Sequence, residues 1–442
     1  DRSPDWDRLR ARVELASGRA PLFRARVEAV PGRLAVPRWV EDPTFDLDWH
    51  LRRVGAPPPH TPRTVLDIAR HEAETDFDRA RPLWQFTLVE GLVGERAAFV
   101  MKLHHALTDG LGGVELALLL FDRQACAPAR SEAHQTAPGA PGPGRDGGED
   151  RRRPRVPPDL ARLAGVVAGA ARHVLPAARQ VALHPMGSIV QVVGDAGSIY
   201  RAVAPVRQVL SPLMQERGTG RHLAMLECSL ADLTRAAHAG GGSVNDAFLA
   251  SVTGGLRRYH EHNGVGVEEL RVTLPISIRR PGDPLGGNRI TLLRLPLGVA
   301  EADPRARIGA HHRRCRRAGG ERSLAYTDAI AGTLNLFPPG VVGSILRRVD
   351  FVASDVTGFP FPVFLGGARV ERYVAFPPTI GASLNVTLLS YDGTCCIGVN
   401  VDTAAVGDTD VLLGCLAEGF EEVLALSGAH QAVAVGPFNP GA

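Results

Sequence analysis

Lysine is nearly missing from this sequence. Lys102 is the single lysine in a chain whose Lys and Arg together number 50, so almost every basic group is a guanidinium. Set against 47 acidic residues, this leaves a formal net charge of +3. That field is too weak for a protein that holds nucleic acid by its phosphates. The arginine bias, with Gly 49 and Pro 34, reads as GC-rich coding rather than as an arginine-specific binding role. Long apolar runs are missing as well. No stretch reaches the roughly 18 residues of a spanning helix, and no secretory leader is visible. The chain begins at Asp1 rather than Met, which leaves room for residues upstream.

Cysteine is sparse too, with six residues at 126, 228, 315, 395, 396 and 415. None forms a CxxC pair or a zinc spacing, so neither a metal ribbon nor a disulfide framework is expected. Buried free thiols in a reducing, cytoplasmic compartment are expected instead. Cys395 and Cys396 are neighbours in an apparent strand and should point to opposite faces.

What is present describes a folded chain. Hydrophobic residues make up 44% and charged residues 22% of 442 positions, enough for two or three cores. Leu9, Val13 and Ala16 mark a helix face, and Leu22–Val30 reads as a strand. Thr64–His71 and Val114–Phe121 read as helices. Leu83–Glu90 and Ala97–Leu103 read as strands about a glycine turn. Ala125–Asp159 is so rich in Pro, Gly and charge, Arg151–Arg153 included, that it reads as a linker or surface insertion. Leu160–Leu183 has helical apolar spacing broken at Pro176 and is expected to pack across a domain junction. Ala247–Tyr259 reads as a helix, followed by strands at Leu270–Ile276, Arg289–Pro296, Ala382–Leu389 and Cys395–Asp402. Alternating elements give an α/β fold in two halves. The expected organisation is an N-terminal half at 1–124, an insertion at 125–159, a helical crossover at 160–199 and a C-terminal half at 200–442.

The sharpest local feature is Lys102-Leu103-His104-His105-Ala106-Leu107-Thr108-Asp109-Gly110, between an apolar strand and a glycine-softened helix start. A strand ending in a tight loop can present an imidazole on a rigid base. A neutral histidine can then take a proton from an alcohol. Asp109 could brace the loop, and Gly110 admits turn geometry that other residues resist. Spacing alone does not make His105 catalytic, because paired histidines are more often structural or surface residues. His311-His312 is the internal control: set among Arg307, Arg313, Arg314, Arg316 and Arg317, it reads as part of a solvated helix. Metal binding by His104 and His105 is disfavoured, since strand neighbours diverge and no HExxH pattern occurs.

His-His-Ala-Leu-Thr-Asp-Gly resembles the HHxxxDG motif of the bacterial wax ester synthase/diacylglycerol acyltransferase family. The wider superfamily includes chloramphenicol acetyltransferases and condensation domains. Further blocks follow in the family's order. Phe45-Asp46-Leu47-Asp48-Trp49-His50 resembles its FDxxxH segment, and Pro82-Leu83-Trp84 its PLW block. Asn245-Asp246, Pro275-Ile276-Ser277-Ile278-Arg279, Gly287-Asn288 and Gly381–Thr387 resemble later blocks. The likeness runs from about Asp5 to about Gly419, apart from the insertion. One block departs: Ser354-Asp355-Val356-Thr357-Gly358-Phe359-Pro360 stands where the family usually has SNVPGP, so Asp355 and Thr357 replace Asn and Pro.

The resemblance implies two chloramphenicol-acetyltransferase-like α/β domains with mixed sheets flanked by helices and an active-site channel between them. It implies that His105 is the base, that His104 supports the loop, and that Asp109 pairs with an arginine, here Arg279. Read from the residues, Gly110 shapes the turn, and Asn245 and Asp246 are expected to cap the next helix rather than act in catalysis, with the family motif setting them near the site; Ser383 and Asn385, on one face of a strand, either line the acyl site or help an oxyanion, or only pack between strands. The implied reaction moves a fatty acyl group from acyl-CoA, a co-substrate, to a long-chain alcohol or diacylglycerol, with no metal or other cofactor. The alternatives are acylation of a specialised metabolite with a carrier-bound donor, or a non-catalytic lipid-binding relative. Any membrane or lipid-inclusion contact would be peripheral.

Overall fold

The computed structural model describes residues 3–28, 37–125, 209–279, 286–319, 349–428 and 433–436. The expected insertion, apart from Ala125, and the expected crossover lie outside the described residues.

The N-terminal half starts with α1 (Trp6–Arg19), capped by Asp5, whose carboxylate accepts from the Arg8 amide. Its stripe Leu9, Val13, Ala16 is buried, as helical periodicity demands. The expected strand at Leu22–Val30 needs correction. Pro21–Arg24 forms a 3-10 turn, for which the fixed φ of Pro21 is suited, and strand β1 (Ala25–Glu28) begins only after it. β1 pairs antiparallel with β2 (Arg38–Glu41). Then follow α2 (Leu47–His50), β3 (Leu51–Gly55), α3 (Pro62–Glu74), β4 (Trp84–Leu92), β5 (Arg96–Leu103) and α4 (Gly110–Leu120). β3 lies parallel to β4, and β4 antiparallel to β5, giving a three-stranded mixed sheet. Gly91 and Gly94 turn the β4–β5 hairpin with φ of 76° and 77°, a region that favours glycine.

The C-terminal half is built on a seven-stranded mixed sheet. Its elements are β6 (Arg221–Ser229), α5 (Leu230–Ala239), α6 (Val244–His262), β7 (Glu269–Ser277), β8 (Ile290–Gly298), α7 (Pro304–Gly319) and β9 (Phe351–Thr357). After the short hairpin β10 (Phe364–Leu365) and β11 (Ala368–Arg369) come β12 (Leu384–Tyr391), β13 (Thr394–Asp402), α8 (Thr409–Leu424) and β14 (Ala434–Gly436). The strand order is β14-β6-β13-β12-β9-β7-β8.

Side-chain alternation divides this sheet between two cores. Leu384, Val386 and Leu388 of β12, with Cys395, Ile397 and Val399 of β13, pack against Phe248, Leu249, Leu416 and Phe420 of α6 and α8. The opposite face sends Leu389, Tyr391 and Cys396 into a core shared with Leu9, Trp84, Phe86, Leu107 and Leu120 of the N-terminal half. Cys395 and Cys396 thus face different cores. The two halves are joined by packed hydrocarbon, not by polar contact alone.

The solvated reading of His311-His312 is also corrected. His311 is 1% exposed and meets the Thr253 hydroxyl at 2.9 Å. Arg307 is fully buried, donating to the Ala250 carbonyl and to Glu422. Ile308, His311 and Cys315 form the inner stripe of an otherwise arginine-rich helix, with Cys315 half-buried rather than buried.

Candidate active site

β5 ends at Leu103 and the chain turns at once. The His104 amide donates to the Leu83 carbonyl at 3.0 Å, and the Leu107 amide to the His104 carbonyl at 2.8 Å. Fully buried Leu107 anchors the turn in the shared core. Its carbonyl accepts from the Gly287 amide at 2.6 Å, while Thr108 and Gly287 form a parallel bridge. The histidine loop is therefore stitched to the segment that leads into β8.

His105 is half-buried, and its Nδ1 lies 3.4 Å from the Thr108 carbonyl oxygen. A carbonyl only accepts, so this contact favours the hydrogen on Nδ1 and leaves the Nε2 lone pair as the basic site. His104 takes the opposite tautomer when neutral, because the Ala106 amide donates to its Nδ1 at 3.1 Å. Its ring is exposed and meets the edge of Phe77 at 5.9 Å. Desolvation, with smaller contributions from His105 and Arg79, holds its pKa below the ordinary histidine value.

Asp109 makes no contact with either imidazole that would orient it. Its carboxylate caps α4 by accepting from the Gly112 amide at 2.8 Å. It also receives Arg279 Nε at 3.0 and 2.9 Å on its two oxygens and the Arg289 amide at 2.8 Å. Burial alone would raise this carboxyl, but the Arg279 bond, the two amides and the guanidinium charge together hold its pKa below the usual range. Arg279 extends the clasp by donating Nη2 to the carbonyls of Gly286 and Gly287 at 3.1 and 2.5 Å. The structure thus brings Asp109 and Arg279 together, with side chains 0% and 9% exposed. A buried pair this well bonded fixes geometry more than it adds net stability.

Two glycines make room. A Cβ on Gly112 would lie 2.5 Å from Arg279 Nη2 and 2.6 Å from Thr108 Oγ1. A Cβ on Gly110 would lie 3.2 Å from a methyl of Val356, near the end of β9. Gly112 carries the tighter requirement and was not singled out by sequence reasoning.

The remaining candidates lie on α6 and at the start of β12. Ser243 and Asp246 form a capping box on α6, and Asp246 also meets His312 at 2.8 Å. Asn245 is half-buried on the same first turn. The Ser383 hydroxyl donates to the Met214 carbonyl at 3.2 Å. Asn385 donates to the Pro378 carbonyl at 2.9 Å and accepts from Thr387. None of these bonds joins the histidine loop. His50, given no role from sequence, proves to bind two motif blocks together: it stacks on Phe45 and on Trp84, which also meet each other, and its Nδ1 donates to the Trp84 carbonyl at 2.7 Å. Burial lowers its pKa and leaves Nε2 without a partner. Among the described residues, no group of three His, Cys, Asp or Glu side chains is placed to hold a metal.

Residues 1–248 match the wax ester synthase/diacylglycerol acyltransferase catalytic domain, and residues 286–424 match the WS/DGAT C-terminal domain. The chain belongs to this family. A putative diacylglycerol O-acyltransferase of Mycobacterium tuberculosis is 37% identical over 432 residues, covering 97% of this chain and 87% of the relative. A probable diacylglycerol O-acyltransferase of the same species is 29% identical over 418 residues, covering 91% and 84%. Among solved structures, the wax ester synthase/diacylglycerol acyltransferase of Marinobacter aquaeolei VT8 superposes with a TM-score of 0.61 at 21% identity, covering 97% of this chain and 92% of the other. A condensation domain of the calcium-dependent antibiotic synthetase gives 0.57 at 13% identity, covering 98% and 92%. These likenesses place the two mixed sheets and their helices in one shared fold. The wax ester synthase/diacylglycerol acyltransferase relationship makes the chain an O-acyltransferase. No helix among the described residues is long and apolar enough to cross a membrane.

Proposed function

We propose that this acyltransferase moves a fatty acyl group from acyl-CoA to a long-chain alcohol or diacylglycerol, with His105 as general base. His105 Nε2 takes the hydroxyl proton as the alcohol oxygen attacks the thioester carbonyl. The tetrahedral intermediate then expels the thiolate, which recovers the proton from the imidazolium. Ester and free CoA are the products, and no covalent enzyme intermediate is needed.

The observation that carries this reading is the division of labour in the loop. Asp109 is saturated by Arg279 and two amides, so it holds shape. His105 is half-buried, with a backbone carbonyl on the ring nitrogen that does not react.

The test is CoA release from acyl-CoA donors with hexadecanol, with dipalmitoylglycerol and without acceptor, in wild type and His105→Ala. Acceptor-dependent release that disappears in the variant supports the reading, and the preferred acceptor ranks wax ester against triacylglycerol. Release unaffected by His105→Ala overturns the base assignment. Absence of release with either lipid, from folded protein, replaces the lipid acceptor with a specialised acceptor or a carrier-bound donor.

A further inference from the structure

The seven-stranded sheet splits beside the histidine loop. β9 pairs with β12 along its whole length, from Phe351 to Thr357. Its other edge meets β7 only at Val272–Phe351 and Thr273–Val352. Beyond those pairs β7 continues to Ser277 and β9 to Thr357, without a ladder between them. Both strands end against the histidine loop. Arg279, just past β7, holds Asp109. Val356 of β9 has a methyl 3.2 Å from where a Cβ on Gly110 would stand. The gap between the strands therefore opens where the loop passes into α4.

Asp355 lies on the open stretch of β9. Strand alternation sets it on the face of Phe351 and Ala353, which are buried in the core with Phe248 of α6. Its register partner on β12, Leu388, is buried in the same core. Asp355 breaks this apolar row and is itself exposed. Protein still surrounds it closely enough that desolvation pushes its pKa up to about 6, with no cation or donor acting against that rise. At neutral pH the group is thus a carboxylate in want of a hydrogen-bond donor. Such a group disfavours hydrocarbon laid against it and favours a hydroxyl. Asp355 also stands where the family usually has an uncharged Asn, so the charge is this chain's own departure.

We infer that the gap between β7 and β9 admits the acceptor, and that Asp355 selects an alcohol carrying a second hydroxyl. The inference rests on the acyltransferase reading of His105 and adds to it the acceptor class and the residue that chooses it. The reacting hydroxyl meets His105 on the α4 side of the sheet. The second hydroxyl donates to Asp355 on the α6 side. The two are therefore set some carbons apart rather than on neighbouring atoms. A simple alcohol in the same place lays methylenes against the carboxylate and leaves it unpaired.

The experiment measures kcat/KM for decanol and for decanediols with the second hydroxyl at carbon 2, 4 or 6, using one acyl-CoA donor. The proteins are wild type, Asp355→Asn and Asp355→Leu, each with its melting curve. Wild type should use the diol with its second hydroxyl at carbon 4 or 6 at least tenfold better than decanol. Asp355→Leu should erase that preference and raise decanol transfer severalfold. Asp355→Asn keeps the shape without the charge, and should retain a reduced preference. Equal use of decanol and all diols by wild type overturns the inference, as does a preference that survives Asp355→Leu. A change confined to the KM of acyl-CoA, with the diol ratio unmoved, gives Asp355 to the donor and overturns it too. Calorimetric binding of decane-1,4-diol and decane-1,6-diol to the same proteins reads the site without turnover. Binding at least tenfold weaker in Asp355→Leu, with no transfer by wild type to any acceptor, upholds the site and overturns the reaction reading instead.

Discussion

His104–His105 and His311–His312 are the same dipeptide set in two different frames. The first closes a corner between β5 and α4, where the His104, Ala106 and Leu107 amides are hydrogen-bonded and one ring is left half-buried. The second lies inside α7, where helical geometry sends neighbouring side chains in different directions. His311 enters the core against Thr253, while His312 reaches Asp246 at the start of α6. In the proposed reading the first doublet offers a base to a ligand, whereas the second ties two helices together. The dipeptide carries no chemistry by itself; the backbone around it does.

The widest separation between the doublets should appear in kinetics. His105→Ala is expected to lower transfer about 10²–10⁴-fold, the usual contribution of a general base, with an unchanged melting curve. Loss of melting temperature in step with the rate would make His105 structural like His311.

Asp109→Ala strikes the clasp rather than the base. It removes the carboxylate partner of Arg279, whose side chain is 9% exposed, so stability should fall by about 3–5 kcal/mol, as when one partner of a buried pair is removed. Denaturant unfolding checks this, and an unchanged midpoint would remove the bracing role.

Acid should distinguish the doublets next. Burial first, then the Arg307 charge, lowers the His311 pKa to about 4. The unfolded ring binds a proton below about 6.5 while the folded ring resists it, so stability is full above that pH and is lost as pH falls towards 4. This one group accounts for about 3 kcal/mol across that window. His311→Gln should therefore flatten the dependence of unfolding free energy on pH between 6.5 and 4, and an equally steep limb in the variant would discount His311. The smallest expected effect is Gly112→Ala, which should cost about 1–3 kcal/mol by pressing on Arg279 and Thr108. A neutral result would mean the clasp has slack.

Much of this was legible in the sequence. The apolar alternation of β12 and β13 and the stripe of α1 announce their buried faces, and the ordered blocks point to Arg279 as the partner of Asp109. Three things were not legible, for physical reasons. Gly112 is constrained by a guanidinium far along the chain, and local turn chemistry carries no trace of that distance. α7 looks solvated because Arg307 is counted as a surface charge, although Glu422 neutralises it inside the protein. The helical spacing of Ile308, His311 and Cys315 is the one sequence signal of the inner face. The hydrogen bonds of Ser383 and Asn385 to the Met214 and Pro378 carbonyls left no trace either, because those carbonyls lie in segments without a regular period.

The central claim is that His105 reacts while its neighbours hold it in place. The most direct measurement is acceptor-dependent CoA release per folded molecule for His105→Ala beside His311→Ala, with the folded fraction measured on each sample. The account predicts loss of about 10²–10⁴-fold for His105→Ala and a wild-type rate per folded molecule for His311→Ala. Equal rates for the two variants would contradict it.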